Sequence, residues 1–380
     1  MECEFQLMSP KGRNGIIQIN KFMKKTFWLA AILVIVAGIW VGLKPNQSNQ
    51  TIKIGVVSPL TGGKAQVGEG LRHAILLGQQ DFGNTKKQYE FVFEDSAGES
   101  AKSASAVQKL ISIDKVSALI SISSQDGNIT AKAAEEYGIP HISIANDSKV
   151  AHGEYNFVHW TPLDEQAKLF IEELKRRNIK NVAIIGENND SSIANIDAFK
   201  KYIAGTDIKI VWHENFNKGT SDFRTMITKL KESNPELIML QAFSPALEVI
   251  AAQLKELKVA TPVSSITNIG TAKDLKPFEG VWYVSGGQPS EDFNSKFKAG
   301  SGYDSTIGAH YGYEIAQIYL TVFEKTDDLS GENIKEEIKD FDFSKFDSIT
   351  GLSGQDSEGQ FISPGAVILI QNGKNVEVRN

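Results

Sequence analysis

The segment from Ile52 to Gly68, IKIGVVSPLTGGKAQVG, has residue types suited to binding a small ligand. Its short apolar run predicts a buried strand, the serine, threonine and glycine residues that follow predict a loop, and a helix is expected next. Such a loop presents hydroxyl groups and unpaired backbone N–H groups at the start of a helix, where a polar or anionic solute can bind. The chemistry indicated is recognition through hydrogen bonds.

Motifs for catalysis and for cofactor binding are missing from the sequence. The first predicted strand is not followed by G-x-G-x-x-G, and Gly62-Gly63-Lys64 lacks the Walker spacing. The chain has no G-x-S-x-G turn for a serine nucleophile, and its six histidines include no H-E-x-x-H pair. We therefore expect a protein that is not an enzyme and that holds no cofactor and no metal ion.

Residues 27–43, FWLAAILVIVAGIWVGL, form an uncharged apolar run that would reach about 25 Å as a helix, enough for a short membrane span. Two lysines precede it, as is typical of an N-terminus that stays in the cytoplasm. No A-x-A pattern follows, and the only cysteine, Cys3, lies before the run, so we favour an uncleaved anchor over a removed signal peptide. This interpretation predicts a cytoplasmic segment over 1–26, a membrane anchor, a linker over 44–50, and a ligand-binding part in the periplasm or at the cell surface.

The charge balance and the length of the chain limit its partners and its architecture. With 46 acidic against 40 basic residues and a net charge of −6, we expect no nucleic-acid partner, since phosphate binding needs clustered lysine and arginine. About 330 residues follow the linker, which is more than one hydrophobic core usually holds. We therefore expect two lobes of ordinary size.

Short β-branched runs alternate with amphipathic stretches, the pattern of βαβ units in parallel sheets that helices cover on both faces. This pattern predicts an α/β fold. The predicted strands are Ile52 to Val57, Phe91 to Asp95, Val116 to Ser121, His141 to Ala145, Asn181 to Gly186, Ile208 to Glu214, Leu237 to Phe243 and Val263 to Ile266.

Two local patterns predict further elements. Asn372-Gly373 lies between two strand-like runs near the end of the chain and predicts an antiparallel hairpin. Thr161 and Asp164 have the spacing of a capping box, and Pro162 suits a first helical turn, so we expect a helix to begin near Thr161.

Five segments, in order and in register, resemble the periplasmic leucine/isoleucine/valine-binding proteins, the branched-chain amino-acid members of the type I solute-binding family. Together they span nearly all of residues 51–380. The segments are IKIGVVSPLTG, DKVSALIS from Asp114, GIPHISIA from Gly138, TSDFRTMITKLKESNPELIML from Thr220 and GAHYGYEIAQIYLTVFEK from Gly308. The resemblance implies the type I periplasmic-binding-protein fold, in which two Rossmann-like lobes joined by three crossovers close on a ligand in the cleft.

The resemblance also implies where the lobes begin and end. We place the crossovers near Thr161, Gln288 and Asp347. The first lobe would then hold residues 51–161 with 288–346, and the second would hold 162–287 with 347–380. The lobes should hinge, open when empty and closed when loaded.

Candidate ligand contacts in the first lobe follow from the same resemblance. Ser123 and Ser124 stand after the third strand, where the family offers a serine to the ligand's carboxylate, although either residue could instead cap the next helix. After the fourth strand come Asn146 and Asp147, and Asp147 falls where the family has a threonine. A carboxylate there would repel the ligand's carboxylate. Either the register shifts by one, so that Ser148 is the match, or the ligand is not an ordinary amino acid.

The second-lobe candidates are Ser191, Phe243 and Thr267. Thr267 stands where the family has the acidic residue that pairs with the ligand's ammonium group, and Ser191 lies in a loop that has lost the expected aromatic residue. Phe243 keeps the expected aromatic character, whereas Val67 in the first lobe replaces an aromatic residue. The fold pattern is thus better preserved than the amino-acid-binding pattern.

The predicted cleft lining is polar, tends to acidic and contains no arginine. It consists of Ser123, Ser124, Asn146, Asp147, Asn188, Asp190, Ser191, Thr267 and Asn268. Such a lining favours a polar neutral or cationic solute, although each aspartate could instead serve a turn or a helix cap.

Two functions remain open at this point. In one, the protein captures a small polar, amino-acid-like solute and presents it to an ABC transporter permease. In the other, closure on the ligand is sensed by a separate receptor chain. A dinucleotide enzyme of Rossmann type would share the strand and helix pattern, but the phosphate-binding fingerprint is missing.

Overall fold

Two parallel sheets form the framework of residues 51–378, the part of the chain that the computed structural model describes. The predicted cytoplasmic segment, the anchor over 27–43 and the linker over 44–50 lie outside the described residues. Within 51–378, no helix is both long and apolar enough to cross a membrane.

The first sheet has five parallel strands in the order β2-β1-β3-β4-β5. The second has four parallel strands in the order β7-β6-β8-β9, and an antiparallel ribbon in the order β10-β13-β14 lies beside it. The strands are β1 (Ile52–Ser58), β2 (Tyr89–Asp95), β3 (Ala118–Ile122), β4 (His141–Ile144), β5 (Asn156–Val158), β6 (Asn181–Glu187), β7 (Lys209–Phe216), β8 (Leu237–Gln241), β9 (Val263–Ser264), β10 (Trp282–Gly286), β11 (Gly354–Gln355), β12 (Phe361–Ile362), β13 (Gly365–Gln371) and β14 (Lys374–Val378).

Helices connect the parallel strands and pack on the sheets. A π-helical segment, Leu110–Asp114, continues the second helix. The α-helices are α1 (Ala65–Phe82), α2 (Ser100–Lys109), α3 (Ser124–Tyr137), α4 (Leu163–Arg176), α5 (Asp190–Ile203), α6 (Arg224–Glu232), α7 (Ala246–Glu256), α8 (Glu291–Ser301), α9 (Ala309–Lys325) and α10 (Gly331–Lys339).

The strands are apolar along their length because both faces of each sheet are covered. Consecutive residues of a strand face opposite sides, and Val56 and Val57 of β1 accordingly belong to different hydrophobic clusters. In β6, Val182 and Ala183 are divided in the same way. This is the physical reason for the continuous apolar runs that the sequence shows.

All eight predicted strands are present, with ends that agree within two residues. The prediction omitted β5, β10 and the two-residue strands β11 and β12. Three residues of β5 are too few for a periodic pattern, and β10 pairs with the distant β13, which no local pattern indicates. The predicted hairpin is confirmed: Asn372 and Gly373 have φ values of 54° and 67° and join β13 to β14.

The capping box predicted at Thr161 does not form. Helix α4 begins at Leu163, and its cap residue Pro162 makes no side-chain hydrogen bond to the helix. The Thr161 hydroxyl instead donates to the backbone oxygen of Pro364, 2.9 Å away. A tertiary contact that the local sequence does not show has taken the place of the cap.

Helices α1 and α9 pack against each other through glycines. A Cβ at Gly78 would lie 2.6 Å from the backbone oxygen of Tyr313, and one at Gly312 would lie 2.3 Å from a methyl group of Leu71. Such distances exclude any side chain, so glycine permits this close approach. The resulting contact holds α9 on the first sheet, although more than 200 residues separate the two helices in the chain.

The hydrophobic clusters show where the chain passes from one lobe to the other. Trp160 packs in the cluster of the first sheet and Leu163 in that of the second. The third crossover lies later than the predicted position near Asp347: Leu352 and Phe361 still pack in the first cluster, and Ala366 in the second. Hereafter the first lobe means 51–161 with 287–363, and the second lobe means 162–286 with 364–378.

Burial of a histidine in the first lobe links its stability to pH. His141 is fully buried, with its ring nitrogens 2.8 Å from Ser121 Oγ and 2.9 Å from Asn156 Oδ1. Burial lowers its pKa from 6.5 to about 4. The unfolded chain therefore binds more protons between these values, and the stability present above pH 6.5 is lost as the pH falls toward 4.

We predict that His141→Asn reduces this acid sensitivity. Between pH 6.5 and pH 4 the wild type should lose roughly 2 to 3 kcal/mol more unfolding free energy than the variant, at about 1.4 kcal/mol per unit of pKa shift. Urea unfolding at several pH values measures the difference. His152→Asn, at an exposed position, should follow the wild type, and parallel curves for all three proteins would contradict the assignment.

Candidate functional site

A cavity of about 80 Å³ lies between the two lobes, beyond the carboxyl ends of their parallel strands. Pro59 follows β1, Ser123 follows β3 and Trp160 follows β5, while Phe243 follows β8 in the second lobe. Both sheets therefore direct their connecting loops into the same cleft, the usual place for a ligand in an open α/β sheet. At about 10 to 15 Å³ for each water-sized group, the cavity has room for a compact solute.

Helix N-termini from both lobes meet at this cavity. Lys64 directly precedes α1, Ser124 opens α3, Ser191 lies in the first turn of α5 and Gly308 precedes α9. Each helix start carries unpaired N–H groups and a partial positive charge, which stabilises a nearby anion by about 0.3 to 1 kcal/mol. The parallel arrangement of the strands thus makes the electrostatic potential in the cleft favourable to negative charge.

Six of the seven predicted contact residues line the cavity: Ser123, Ser124, Asn146, Ser191, Phe243 and Thr267. The seventh, Asp147, lies in a separate groove with Asp190, and its carboxylate accepts from the backbone N–H of Lys149 at 3.1 Å. Asn188 and Asn268, which were also expected in the lining, are not part of it either. Asp147 therefore stabilises its own turn, which is the alternative role that the sequence had left open for each aspartate.

The two serines of the first lobe have different surroundings. Ser123 accepts from the N–H of Asp126 at 3.2 Å and so caps α3, and it does this with a φ of 86°, which is strained for a residue other than glycine. Ser124 Oγ accepts from the N–H of Asp147 at 3.1 Å. Because that contact uses only a lone pair, the Ser124 hydroxyl hydrogen remains available to donate to a ligand.

A hydrogen-bonded chain joins the cavity wall to the crossovers. Thr267 Oγ1 donates to Gln166 Oε1 at 2.8 Å, and Gln166 Nε2 donates to the backbone oxygen of Thr161 at 2.8 Å. The Thr161 hydroxyl lies 3.1 Å from Tyr311 Oη and 3.3 Å from Ser363 Oγ. Buried hydrogen bonds therefore fix the Thr267 side chain and link the cavity wall to the crossovers.

Lys64 is a cavity residue that the sequence prediction did not include. Its Nζ lies 3.8 Å from the ring centroid of Phe243 in the opposite lobe, and burial lowers its pKa from the ordinary value. Among residues 51–378, no carboxylate lies within 4.0 Å of this nitrogen, although Asp126 and Glu187 attract it from farther away. Its position at the predicted start of the first helix was the signal that could have identified it.

The remaining lining is largely apolar, and the predicted acidic character of the lining is wrong. It includes Pro59, Val67, Ile122, Ile144, Trp160 and Ile307. No aspartate or glutamate of the described part of the chain contributes to it. The preference for a neutral or cationic solute had two grounds, an acidic lining and the absence of an arginine. The structure places Asp147 and Asp190 outside the cavity, which removes the first ground, whereas no arginine of residues 51–378 lines the cavity.

Polar contacts hold the lobes together around the cavity. Asn128 of the first lobe donates to Asp147 in its own lobe at 3.1 Å and to Asp190 in the second lobe at 3.0 Å. Asn146 donates across the cleft to Asn195 at 3.2 Å. These contacts, with that of Lys64 on Phe243, describe a closed cleft.

A buried histidine–glutamate pair lies beside the first crossover. His159 Nε2 is 2.7 Å from Glu314 Oε2, and both side chains are fully buried. Burial opposes ionisation of the carboxyl, but hydrogen bonds from His159, Thr350 and Ser348 outweigh it and hold the pKa of Glu314 below its ordinary value. Because Ser348 and Thr350 belong to the segment that leads to the third crossover, this carboxylate ties two crossovers to α9.

We predict that Asn128→Asp separates the lobes, because three carboxylates would then meet where one amide now bridges two. At about 4 Å each like-charge pair costs roughly 1 kcal/mol even in water. Small-angle X-ray scattering should give a larger radius of gyration for this variant than for the wild type. Asn84→Asp adds the same charge at an exposed position of the first lobe and should have no effect. Equal radii for the two variants would contradict the bridging role of Asn128.

The sequence of this chain is similar to the sequences of known proteins. Residues 51–375 match the family model described as periplasmic binding protein. A leucine-, isoleucine-, valine-, threonine- and alanine-binding protein of Pseudomonas aeruginosa is 23% identical over 334 residues, which cover 83% of this chain and 88% of that protein.

Solved structures of low sequence identity have a similar fold. The leucine-binding protein LivK of Thermotoga maritima matches with a TM-score of 0.78 at 20% identity, over 87% of this chain and 98% of that one. An ABC transporter solute-binding protein of R. palustris, solved in complex with benzoate, matches with a TM-score of 0.78 at 15% identity, over 86% of this chain and 95% of that one.

Proposed function

We propose a function from one premise: this chain belongs to the periplasmic binding protein family. It is a solute-binding protein and not an enzyme, and the predicted family and α/β fold with two parallel sheets are confirmed. We propose that it captures a small, amino-acid-like or related solute in the cavity between its lobes and presents that solute to an ABC transporter permease.

The observation that carries this proposal is the cavity between the lobes. It is lined from both sides by residues that follow strands or open helices, and the lobes meet across it through Asn128, Asn146 and Lys64. A solute held there would be enclosed by closure and released by opening, as capture and delivery require. The contacts expected of Ser123, Ser124, Asn146, Ser191, Phe243 and Thr267 are part of this proposal.

The names of the relatives support a transported solute and leave its identity open. One relative is named for binding leucine and other amino acids, and one structural neighbour was solved with benzoate. The same fold therefore accommodates ligands with and without an amino group. Which of these two kinds of ligand this chain binds depends on the residues of its own cavity.

We predict that blocking the cavity abolishes solute binding. Val67→Trp places a large ring in a space of about 80 Å³, whereas Val376→Trp adds the same ring at an exposed position of β14. Native mass spectrometry of the full-length chain, followed by denaturation to release bound molecules, should show one solute with the wild type and Val376→Trp but none with Val67→Trp. Thermal unfolding verifies that both variants fold. Solute retained by Val67→Trp, or a wild type that binds none, would overturn the proposal.

We also propose that residues 27–43 anchor the chain with its ligand-binding part outside the cytoplasmic membrane. The full-length chain should then sediment with membranes, resist salt extraction and dissolve in detergent. Replacing Val34 and Val36 by aspartate should release it, because a charge at the centre of a span costs about 2.5 to 3.5 kcal/mol. The same change at Gln47 and Gln50 in the linker should not. Salt-extractable wild-type protein would contradict the anchor.

A further inference from the structure

Lys64 is a cation without a carboxylate partner at ion-pair distance among residues 51–378. Lys64 lines the cavity, and its Nζ rests on the face of Phe243. A partly buried ammonium group in an apolar wall is unfavourable unless an anion approaches it. An anionic group of a bound ligand could take this place beside Lys64.

The second observation concerns donors without acceptors. Trp160 also lines the cavity and is almost fully buried, and its indole N–H has no acceptor within the described residues 51–378. A buried donor without a partner costs about 1 to 3 kcal/mol, and a ligand that accepts from it removes that cost. The Ser124 hydroxyl and the helix starts at Lys64 and Ser191 add further donors and positive potential. The cavity therefore offers several donors to a ligand's acceptor atoms.

The third observation concerns the missing partner for an ammonium group. The residue at the position expected to be acidic is Thr267, and its hydroxyl hydrogen already bonds Gln166. The nearby carboxylate of Glu187 accepts from the backbone N–H of Phe243 at 3.1 Å and does not line the cavity. The carboxylates of Asp126, Glu187 and Asp190 attract Lys64 from farther away, but none of them lines the cavity. An α-ammonium group enclosed here would therefore meet no carboxylate in the described lining and would be repelled by Lys64.

The fourth observation concerns the shape and polarity of the remaining wall. Val67, Ile122, Ile144 and Ile307, with the Trp160 ring, form an apolar surface facing the polar groups. A ligand that fills this space buries apolar area worth about 25 cal/mol for each Å². The wall therefore suits a compact apolar body.

We infer that the solute is a small organic acid, with one carboxylate on a compact apolar body and no ammonium group, and that Lys64 is its counter-ion. This inference rests on the proposed function and replaces the expected neutral or cationic solute. It makes Lys64 a specificity-determining residue: the lysine favours an acid and disfavours the corresponding amino acid or amine.

Three compounds with the same branched carbon skeleton test the charge preference. The acid is 4-methyl-2-oxopentanoate, the amino acid is leucine, and the amine is 3-methylbutylamine. Benzoate serves as an aromatic acid of similar size. Isothermal titration of the full-length chain should show binding of at least one acid, at least tenfold weaker binding of leucine, and no binding of the amine.

Variants of Lys64 separate charge from packing. Lys64→Met should weaken binding of the acid at least tenfold and remove its advantage over leucine, while Lys64→Arg should keep the preference for the acid. Lys132→Met makes the same charge change at an exposed position on α3 and should bind like the wild type. Thermal unfolding of each variant without ligand verifies that it is folded.

The outcomes distinguish this inference from the proposed function. Binding of leucine or of the amine as tight as that of either acid, or acid binding unchanged in Lys64→Met, overturns the inference and leaves solute binding intact. When no panel compound binds, the solute released in native mass spectrometry decides: an acid without an amine supports the inference, and any other solute overturns it. A chain that binds none of the panel and retains no solute contradicts the proposed function as well.

Discussion

The closed cleft depends on one junction, where three crossovers between the lobes meet around the hydroxyl of Thr161. Thr161 lies at the first crossover. Its hydroxyl donates to the backbone oxygen of Pro364 at the third crossover and contacts the Tyr311 hydroxyl of α9. The second crossover also lies close to Tyr311, since a Cβ at Gly286 would be 2.2 Å from the Tyr311 hydroxyl oxygen. Since the lobes have separate hydrophobic clusters, this small polar junction fixes their relative position, and with it the two halves of the cavity wall.

Parallel strands explain why several helix N-termini face one enclosed cavity. Each strand ends at the cleft and the next helix begins there, so N–H groups from several helices face the same space. The Lys64 side chain lies among these partial charges, and the carboxylates of Asp126, Glu187 and Asp190 act on it from farther away. In the closed cleft this lysine lies against Phe243 of the other lobe. Conformation and electrostatics are thereby coupled, because the apolar wall that strengthens the attraction for an anion is complete only when the lobes meet.

Some residues of the cavity could be predicted from the sequence and others could not, and the difference has a physical reason in each case. Ser123 and Ser124 could be found because a hydroxyl pair at the start of a helix has a recognisable local pattern. Asp147 was expected in the cleft, but its carboxylate bonds the backbone of its own turn and turns away into a neighbouring groove. Trp160 has no local signal, since its indole reaches the cavity only after β5 pairs with β4 and α9 packs beneath it.

The sequence by itself determined most strands of the two parallel sheets, the C-terminal hairpin, the two-lobe α/β architecture and the family, because each depends on periodicity, turn chemistry or motifs that neighbouring residues express. Only the tertiary structure decided the packing around the third crossover, the junction at Thr161 and the surroundings of Lys64. These depend on contacts between residues such as Lys64 and Phe243, which lie far apart in the chain and meet only when the lobes close. Whether a lysine serves solubility or ligand binding is determined by what surrounds it, and local sequence does not specify those surroundings.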